Sequence, residues 1–451
     1  MKNERYDVVI VGAGPAGIFA CFEILDRNPD ARIALIDMGQ RLGKREAHEV
    51  MSGFGGAGSF SDGKLHYTPK LSHERALHLV GEDAYVDILG SIEMRFKDYG
   101  VDSEFYPRNA DEVQAMVEEA EKHDIELIVR RAQHVGTDSL RVVIQKFQDF
   151  FIESGVTLID NTKIEDILLQ DGKCVGVVDA GGNQFLAKKV LLAPGRISAK
   201  WLQELVDRYG IGQEFGMVEV GVRAEFPESI MKRYAEALYE IVLKIRTNTF
   251  DDIIRTFCTC PNGYVAVEDY RGYVCVNGHS DSGHASRNSN FAFVCEVNLT
   301  KPVENSIAYA ESIAMLASTI GGGKPILQRL TDLRKGRRST WSRLRKSLVR
   351  PSLTDVTPGD ISMALPHRIV TNILEGFEKL DEIMPGINSG STLLYAPEVK
   401  FRSSRIKTDK QLQTSVPNLY VAGDAAGVSG AITGAAATGI IAARGILSEM
   451  G

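Results

Sequence analysis

VVIVGAGPAGIFA, residues 8–20, is the stretch on which the fold turns. The apolar run from Tyr6 to Val11 ends in glycines, the pattern of a strand buried on both faces of a parallel sheet. A helical pattern follows from Pro15 to Arg27, then a second apolar strand from Arg32 to Asp37. In Gly12-Ala-Gly14-Pro15-Ala16-Gly17 the first glycine permits a tight turn and the second lets main chain approach a pyrophosphate. The third lets strand and helix pack closely. The helix start offers unbonded N–H groups and a positive dipole end to phosphates. Asp37 stands 20 residues beyond Gly17, where a carboxylate can accept hydrogen bonds from ribose hydroxyls. Strand, turn, helix, strand and acid in this order predict a dinucleotide-binding domain. They do not by themselves separate FAD from NAD.

Working outward, a second glycine-dense loop runs GGAGSFSDGKL, residues 55–65. Gly56 and Gly58 let backbone pass close to a flat ligand, and Ser59, Ser61 and Asp62 supply hydrogen bonds. Lys64 is either a group at the flavin edge, an anion binder for substrate, or a solvated loop lysine. Met38 and Arg45, between the two loops, join the candidate cofactor set. A meander of strands at Ile164–Leu169, Cys174–Asp179 and Gln184–Leu192, with Gly-containing hairpin turns, leads into Ala193-Pro194-Gly195. Near the C-terminus LYVAGDAAG, residues 419–427, repeats the strand-then-turn pattern before a Gly/Ala-rich helix.

These stretches, with FCTCPNGYV (257–265), VCVNGHSDSGHASRNSNFAF (274–293), LRKGRRST (333–340), LPHRI (365–369) and LYAPEVKFRSSRI (394–406), carry a resemblance. Along nearly its whole length the chain resembles the uncharacterised FAD-dependent dehydrogenases. Those belong to the two-dinucleotide-binding-domain flavoprotein superfamily and are distantly like geranylgeranyl reductases. The resemblance implies one FAD held by a discontinuous domain. It places Gly423 and Asp424 at the ribityl chain, where a carboxylate suits hydroxyl donors. It places Gly430, Ala431 and Ile432, at the last helix start, near the flavin pyrimidine. Backbone at Lys163 and Ile164 falls near the adenine, and Ala193 and Gly195 at the strand crossing. The family's Ala-Thr-Gly at that crossing is Ala193-Pro194-Gly195 here, and residues 425 and 426 lack glycine.

The expected fold is therefore α/β. A Rossmann-type FAD-binding domain is assembled from 1–68, 125–212 and 385–451, with a helical insertion at 69–124 and a second, mixed β-sheet and helical substrate domain at 213–384. Asp138 is the expected N-cap of a helix reaching Ser154. Within the substrate domain, Cys258-Thr-Cys260 ends an apolar strand, and alternation would put both sulfurs on one face. They read either as a redox pair or nucleophile, which needs a positive neighbour, or as small apolar residues in a sheet. His279, Asp281, His284 and Arg287 share a polar loop. His284 is the candidate proton donor, against the plain reading of exposed loop histidines. Arg337 and Arg338, in a basic stretch reaching Arg350, and Lys400 and Arg402 are candidates for an anionic substrate. The plain alternative for the basic stretch is a solvated face.

Composition narrows the classes further. The 451 residues carry net charge −7 with 44% hydrophobic residues, which argues against a nucleic-acid-type basic balance over the whole chain. Six cysteines without zinc spacing make neither a disulfide scaffold nor a metal site, so no metal is expected. The most lipid-like stretch, Gly430 to Leu447, is Gly/Ala-rich and carries Arg444, and Met1–Asp7 lacks an export signal. A cytoplasmic location is expected, without stable nucleic-acid or integral-membrane association. The expected activity is hydride transfer between flavin N5 and a small, anionic organic substrate. With no second Rossmann motif, electrons would come from NAD(P)H docking transiently, from a ferredoxin-type carrier, or from the substrate. The alternatives are an isoprenoid or lipid double-bond reductase at a membrane surface, and a flavin-dependent RNA-modifying or RNA-binding protein using residues 329–350. Oligomeric state is not legible in the sequence.

Overall fold

The computed structural model describes residues 5–45, 51–60, 63–71, 73–214, 216–270, 272–279, 285–297, 299, 305–400 and 405–450. Ser61, Asp62, Asp281, His284 and Arg402 lie outside the described residues. The architecture is α/β. The chain divides into two compact units, one formed by Met1–Phe105, Arg130–Gly216 and Ser403–Gly451, the other by Tyr106–Val129 and Met217–Arg402.

In the first unit the strand Arg5–Val11 is central. It pairs in parallel with Ile33–Ile36 on one side and Gln184–Leu192 on the other. Thr157–Ile159 extends one flank and Leu419–Val421 the other, both parallel. Val8, Val9 and Ile10 are fully buried, as expected for a strand with helices over its faces. The antiparallel meander Ile164–Gln170, Lys173–Asp179 joins at Gln184–Leu192. Chain order reverses at Arg5–Val11, so the carboxyl ends of this strand and Gln184–Leu192 form the switch point where such sheets take ligands. Phe19 and Phe22 of the first helix, Pro15–Arg27, pack with Phe96, Phe147 and Phe151 from two neighbouring helices. The helix expected to follow an N-cap at Asp138 begins two residues earlier than that cap implies, at Thr137. Its N-cap is Gly136, and Asp138 lies in the first turn.

The second unit is built on an eight-stranded mixed sheet. Its order is Thr357–Pro358, Ile326–Arg329, Leu393–Lys400, Val218–Pro227, Asn288–Val297, Ile253–Cys260, Leu243–Arg246 and Ile125–Leu127. Helices Ser306–Gly321 and His367–Asp381 pack on it, the latter through Gly376, where a Cβ would press on the Phe293 ring at 2.6 Å. Two segments assigned on sequence grounds to the cofactor domain sit in this sheet. Ile125–Leu127 pairs with Leu243–Ile245, and Leu393–Lys400 pairs with Val218–Pro227. Long-range antiparallel pairing decides their place, and nothing in their local pattern marks it. Likewise, of the helices in the 69–124 stretch, Glu74–Val80 and Glu82–Asp98 belong to the first unit and Ala110–Glu121 to the second.

Candidate functional site

The glycine turn adopts the geometry its spacing calls for. Gly12 has φ +106°, and a side chain there would run into the Ala193 carbonyl. A Cβ on Gly17 would collide with the Gly12 carbonyl, which holds strand and helix together. Gly14 is the N-cap of Pro15–Arg27 and makes no side-chain cap. A Cβ on Gly14 would meet only Gly56 Cα, at 4.0 Å, so the main chain there is open to a ligand. With no acidic residue in its first turn, the helix presents uncapped N–H groups at its positive end.

Asp37 ties the site together. Its Oδ2 accepts from Ala13 N at 2.8 Å, and its Oδ1 accepts from Gly39 N at 2.9 Å and Gly53 N at 2.7 Å. The carboxylate thus fixes both glycine loops, while its four lone-pair sites leave capacity for a ribose hydroxyl. Arg45, nearly buried, donates to Phe54 O at 2.9 Å and Gly56 O at 3.0 Å and braces the second loop from below. Thr162 N donates to Asp37 O at 2.9 Å, which brings the backbone before Lys163 and Ile164 to the same edge. Met38, more than a third exposed, accepts from Ser198 Oγ at 3.7 Å beyond Gly195.

The opposite chain end arrives at the same place. Helix Ile432–Ser448 lies against Pro15–Arg27 so closely that a Cβ on Gly439 would strike the Ala16 carbonyl. A Cβ on Gly423 would sit 3.3 Å from Ala16 Cβ. A Cβ on Gly58 would touch Pro15 at 3.5 Å and Ile432 at 3.7 Å, so the second glycine loop passes between two helix N-termini. Asp424 accepts from Ser429 Oγ at 2.7 Å and pairs with Arg196 Nε at 3.1 Å. Nothing in the sequence pattern marks Arg196, since 228 residues separate it from Asp424. Open backbone at Gly14, two helix N-termini and acids at 37 and 424 together fit a dinucleotide carrying a pyrophosphate and two polyhydroxyl arms.

Close by, Lys64 opens a short strand paired with Ala132–His134. Thr433 Oγ1 of the last helix donates to His66 O at 2.6 Å. His73, fully buried, shares a 2.8 Å hydrogen bond with Tyr85 through Nδ1. Burial, then the neighbouring His66 and Arg130, push its pKa down to about 3, so its ring stays neutral.

The second unit holds a different kind of cluster. Arg223 is fully buried and donates through Nε to Asn290 Oδ1 at 2.7 Å and through Nη2 to Cys258 O at 2.6 Å. It also donates to Cys260 Sγ at 3.5 Å and to Glu398 Oε1 at 3.4 Å. Gly278 gives it room, since a Cβ there would overlap the guanidinium. Lys400 Nζ bonds Glu398 Oε1 at 2.6 Å and Asn277 Oδ1 at 3.3 Å, and Cys258 Sγ lies 3.7 Å from the same Asn277 oxygen. Burial works against the Lys400 charge, but Glu398 and then Cys258 and Glu268 outweigh it and hold the pKa above the ordinary lysine value. Glu398 Oε2 and Asn290 Nδ2 are buried without a hydrogen-bond partner among the described residues.

The regular alternation expected across Cys258 and Cys260 is broken. Register shifts between Phe257 and Cys260, and Cys258 takes φ +49°. This bulge turns a half-buried Cys258 toward Asn277 and sends a buried Cys260 toward Arg223; both are reduced thiols. The basic stretch is also organised differently from its sequence reading. Asp332, fully buried, accepts from Arg329 Nε at 2.9 Å, Arg337 Nε at 2.8 Å and Ser339 Oγ at 2.8 Å. Arg337 and Arg338 are both exposed, and Arg337 is anchored by its bond to Asp332.

Comparison with known proteins agrees with this geometry. Residues 7–219 match the family model of an FAD binding domain. Residues 218–401 match that of an FAD-dependent protein, C-terminal domain-like, and residues 354–450 that of glucose inhibited division protein A. An uncharacterized protein of Clostridium beijerinckii is 25% identical, over 98% of this chain and 80% of its own. A variant of formate oxidase from Aspergillus oryzae shares the fold at TM-score 0.50 and 12% identity, with 100% and 99% of the two chains covered. L-proline dehydrogenase from P. horikoshii aligns at TM-score 0.42 and 12% identity, covering 99% and 94%. FAD is the cofactor of this Rossmann-type domain.

Proposed function

We propose that this FAD-dependent oxidoreductase transfers hydride between flavin N5 and a small, anionic organic substrate. The observation that carries the reading is the convergence of Gly12–Gly17, Gly53–Gly58 and Gly423–Asp424 on one cradle bounded by two helix N-termini. When bound, FAD supplies the two-electron chemistry. The chain supplies binding and electrostatics. Uncapped N–H groups at Gly14, Ala16 and Gly17 would hold the pyrophosphate, Asp37 and Asp424 would accept from ribose and ribityl hydroxyls, and the start of Ile432–Ser448 would favour negative charge on the flavin ring.

In the second unit, Lys400 is the residue assigned to the substrate anion. Among the described residues two of its three N–H groups are spent, on Glu398 and Asn277, which fixes the ammonium. Cys258, on its bulge beside Lys400 and Arg223, is the candidate for proton or covalent chemistry. Electrons enter from NAD(P)H, from a ferredoxin-type carrier, or from the substrate itself.

The test is anaerobic. The yellow protein is mixed in turn with NADH, NADPH, a reduced ferredoxin and a panel of oxidisable carboxylates, and flavin bleaching is followed. Bleaching by a carboxylate, or bleaching by a donor with reoxidation by an unsaturated or keto acid, is expected. A protein that refuses added FAD overturns the cofactor assignment. Flavin that cycles only with neutral substrates overturns the anionic one. Cys258→Ser is expected to keep its flavin and lose turnover; unchanged turnover removes Cys258 from the chemistry.

A further inference from the structure

We infer that the segment Arg334–Arg350 of the second unit is a docking surface for an anionic lipid bilayer. The inference concerns a surface and does not rest on the redox reading. The segment carries eight of the chain's 52 lysines and arginines and no acid, within a protein of net charge −7. Arg337 is anchored by Asp332, and Arg334 by Asn388. Among the described residues, no carboxylate lies at ion-pair distance from Lys335, Arg338, Arg343, Arg345, Lys346 or Arg350. Six cations are therefore unneutralised within 16 residues, a density that soluble faces ordinarily offset with acids.

Apolar side chains stand among them. Thr340 caps the single turn Trp341–Leu344, and Leu344 and Val349 turn inward to a small core with Val265, Leu327 and Tyr395. Ser347 Oγ donates to Ser391 O at 3.3 Å and holds the return of the loop. These anchors leave Trp341 44% exposed and Leu348 88% exposed, the most exposed large apolar side chain among the described residues. The fold thus fixes the loop while directing a leucine and a tryptophan outward between cations.

That combination selects its occupant. A phosphate backbone would satisfy the cations but offers nothing to a protruding leucine. An anionic bilayer takes both, with cations on its headgroups, the indole at the interface and the leucine at the margin of the hydrocarbon. Among the described residues no helix is long and apolar enough to cross a membrane, so the contact is peripheral.

Trp201 and Trp341 are the only tryptophans, so Trp201→Phe leaves Trp341 as sole reporter. With vesicles of about 70% phosphatidylcholine and 30% phosphatidylglycerol, its emission is expected to shift to the blue and the protein to sediment. Pure phosphatidylcholine should do neither. Leu348→Asp, and separately Lys335→Glu with Lys346→Glu, should each lower the vesicle-bound fraction by roughly tenfold with unchanged melting temperature. Equal sedimentation with both vesicle types overturns the inference. So does binding to anionic vesicles that Leu348→Asp leaves unchanged. Salt-sensitive capture of a single-stranded RNA oligonucleotide, without vesicle binding, would assign the patch to nucleic acid instead.

Discussion

The two units gather polar groups in opposite ways. The cradle in the first is mostly main chain: uncapped helix N–H groups, glycines whose missing Cβ atoms make room, and carboxylates that organise backbone. The cluster in the second is mostly side chain, with Arg223, Glu398 and Asn290 buried and Lys400 half-buried in one sheet, held by one another. A main-chain site depends on backbone conformation and tolerates most substitutions except at its glycines. A buried ionic site depends on each member, because removing one leaves the others charged or unpaired in a poorly polarisable interior.

The contrast breaks most easily at Arg223. Replacing it with alanine leaves Glu398 buried with Lys400 as its remaining cation, and is expected to cost about 3–5 kcal/mol in urea unfolding. Adding Glu398→Leu should recover a large part of that loss. A single-variant loss below about 1 kcal/mol would mean the cluster is solvated and carries no such dependence. In the other unit, Gly12→Ala forces a side chain into φ +106° and onto Ala193. It is expected to cost about 3 kcal/mol and to strip the flavin, read as the ratio of flavin to protein absorbance. Full occupancy in that variant would show that the cradle can yield where its geometry says it cannot.

The same division explains what the sequence discloses. A main-chain site is local: Gly12, Gly14, Gly17 and Asp37 occur within one strand–helix–strand unit, so spacing alone exposes them. The family resemblance then adds Gly423 and Asp424. The ionic cluster is legible only in part. Lys400 and Cys258 are conspicuous as residue types, but Arg223 lies 175 residues from Glu398 and 67 from Asn290, and only strand pairing brings them together. The bulge at Cys258 is likewise a tertiary event that alternation cannot foresee. Asp332 shows the limit best. From sequence it is one acid before a run of arginines; in the fold it is the buried acceptor that orders that run.

Asp424 sharpens the comparison, being a side chain inside the main-chain site. Asp424→Ala is expected to weaken FAD binding by about tenfold, near 1.4 kcal/mol, as measured by flavin titration of the apoprotein. Arg196→Ala should move the same constant by less than about 1 kcal/mol, because Arg196 is largely exposed and its pairing with Asp424 is screened by water. The reverse order of effects would make Arg196 the true ligand and Asp424 its support.

The smallest effect lies in acid. Burial raises the Asp332 pKa, but hydrogen bonds from Arg329, Ser339 and Arg337 outweigh it and hold the carboxyl below the ordinary aspartate value. A depressed folded-state pKa means the carboxylate adds stability that is fully present above the unfolded value and is lost as pH falls through the folded one. Urea midpoints should therefore stay flat in Asp332 above about pH 5 and decline below pH 4. Asp332→Asn, which cannot titrate, should start less stable and decline less steeply over that window. Parallel decline of both proteins would mean the proton goes elsewhere, and that the arginines around Asp332 are held by packing of their stems and not by its charge.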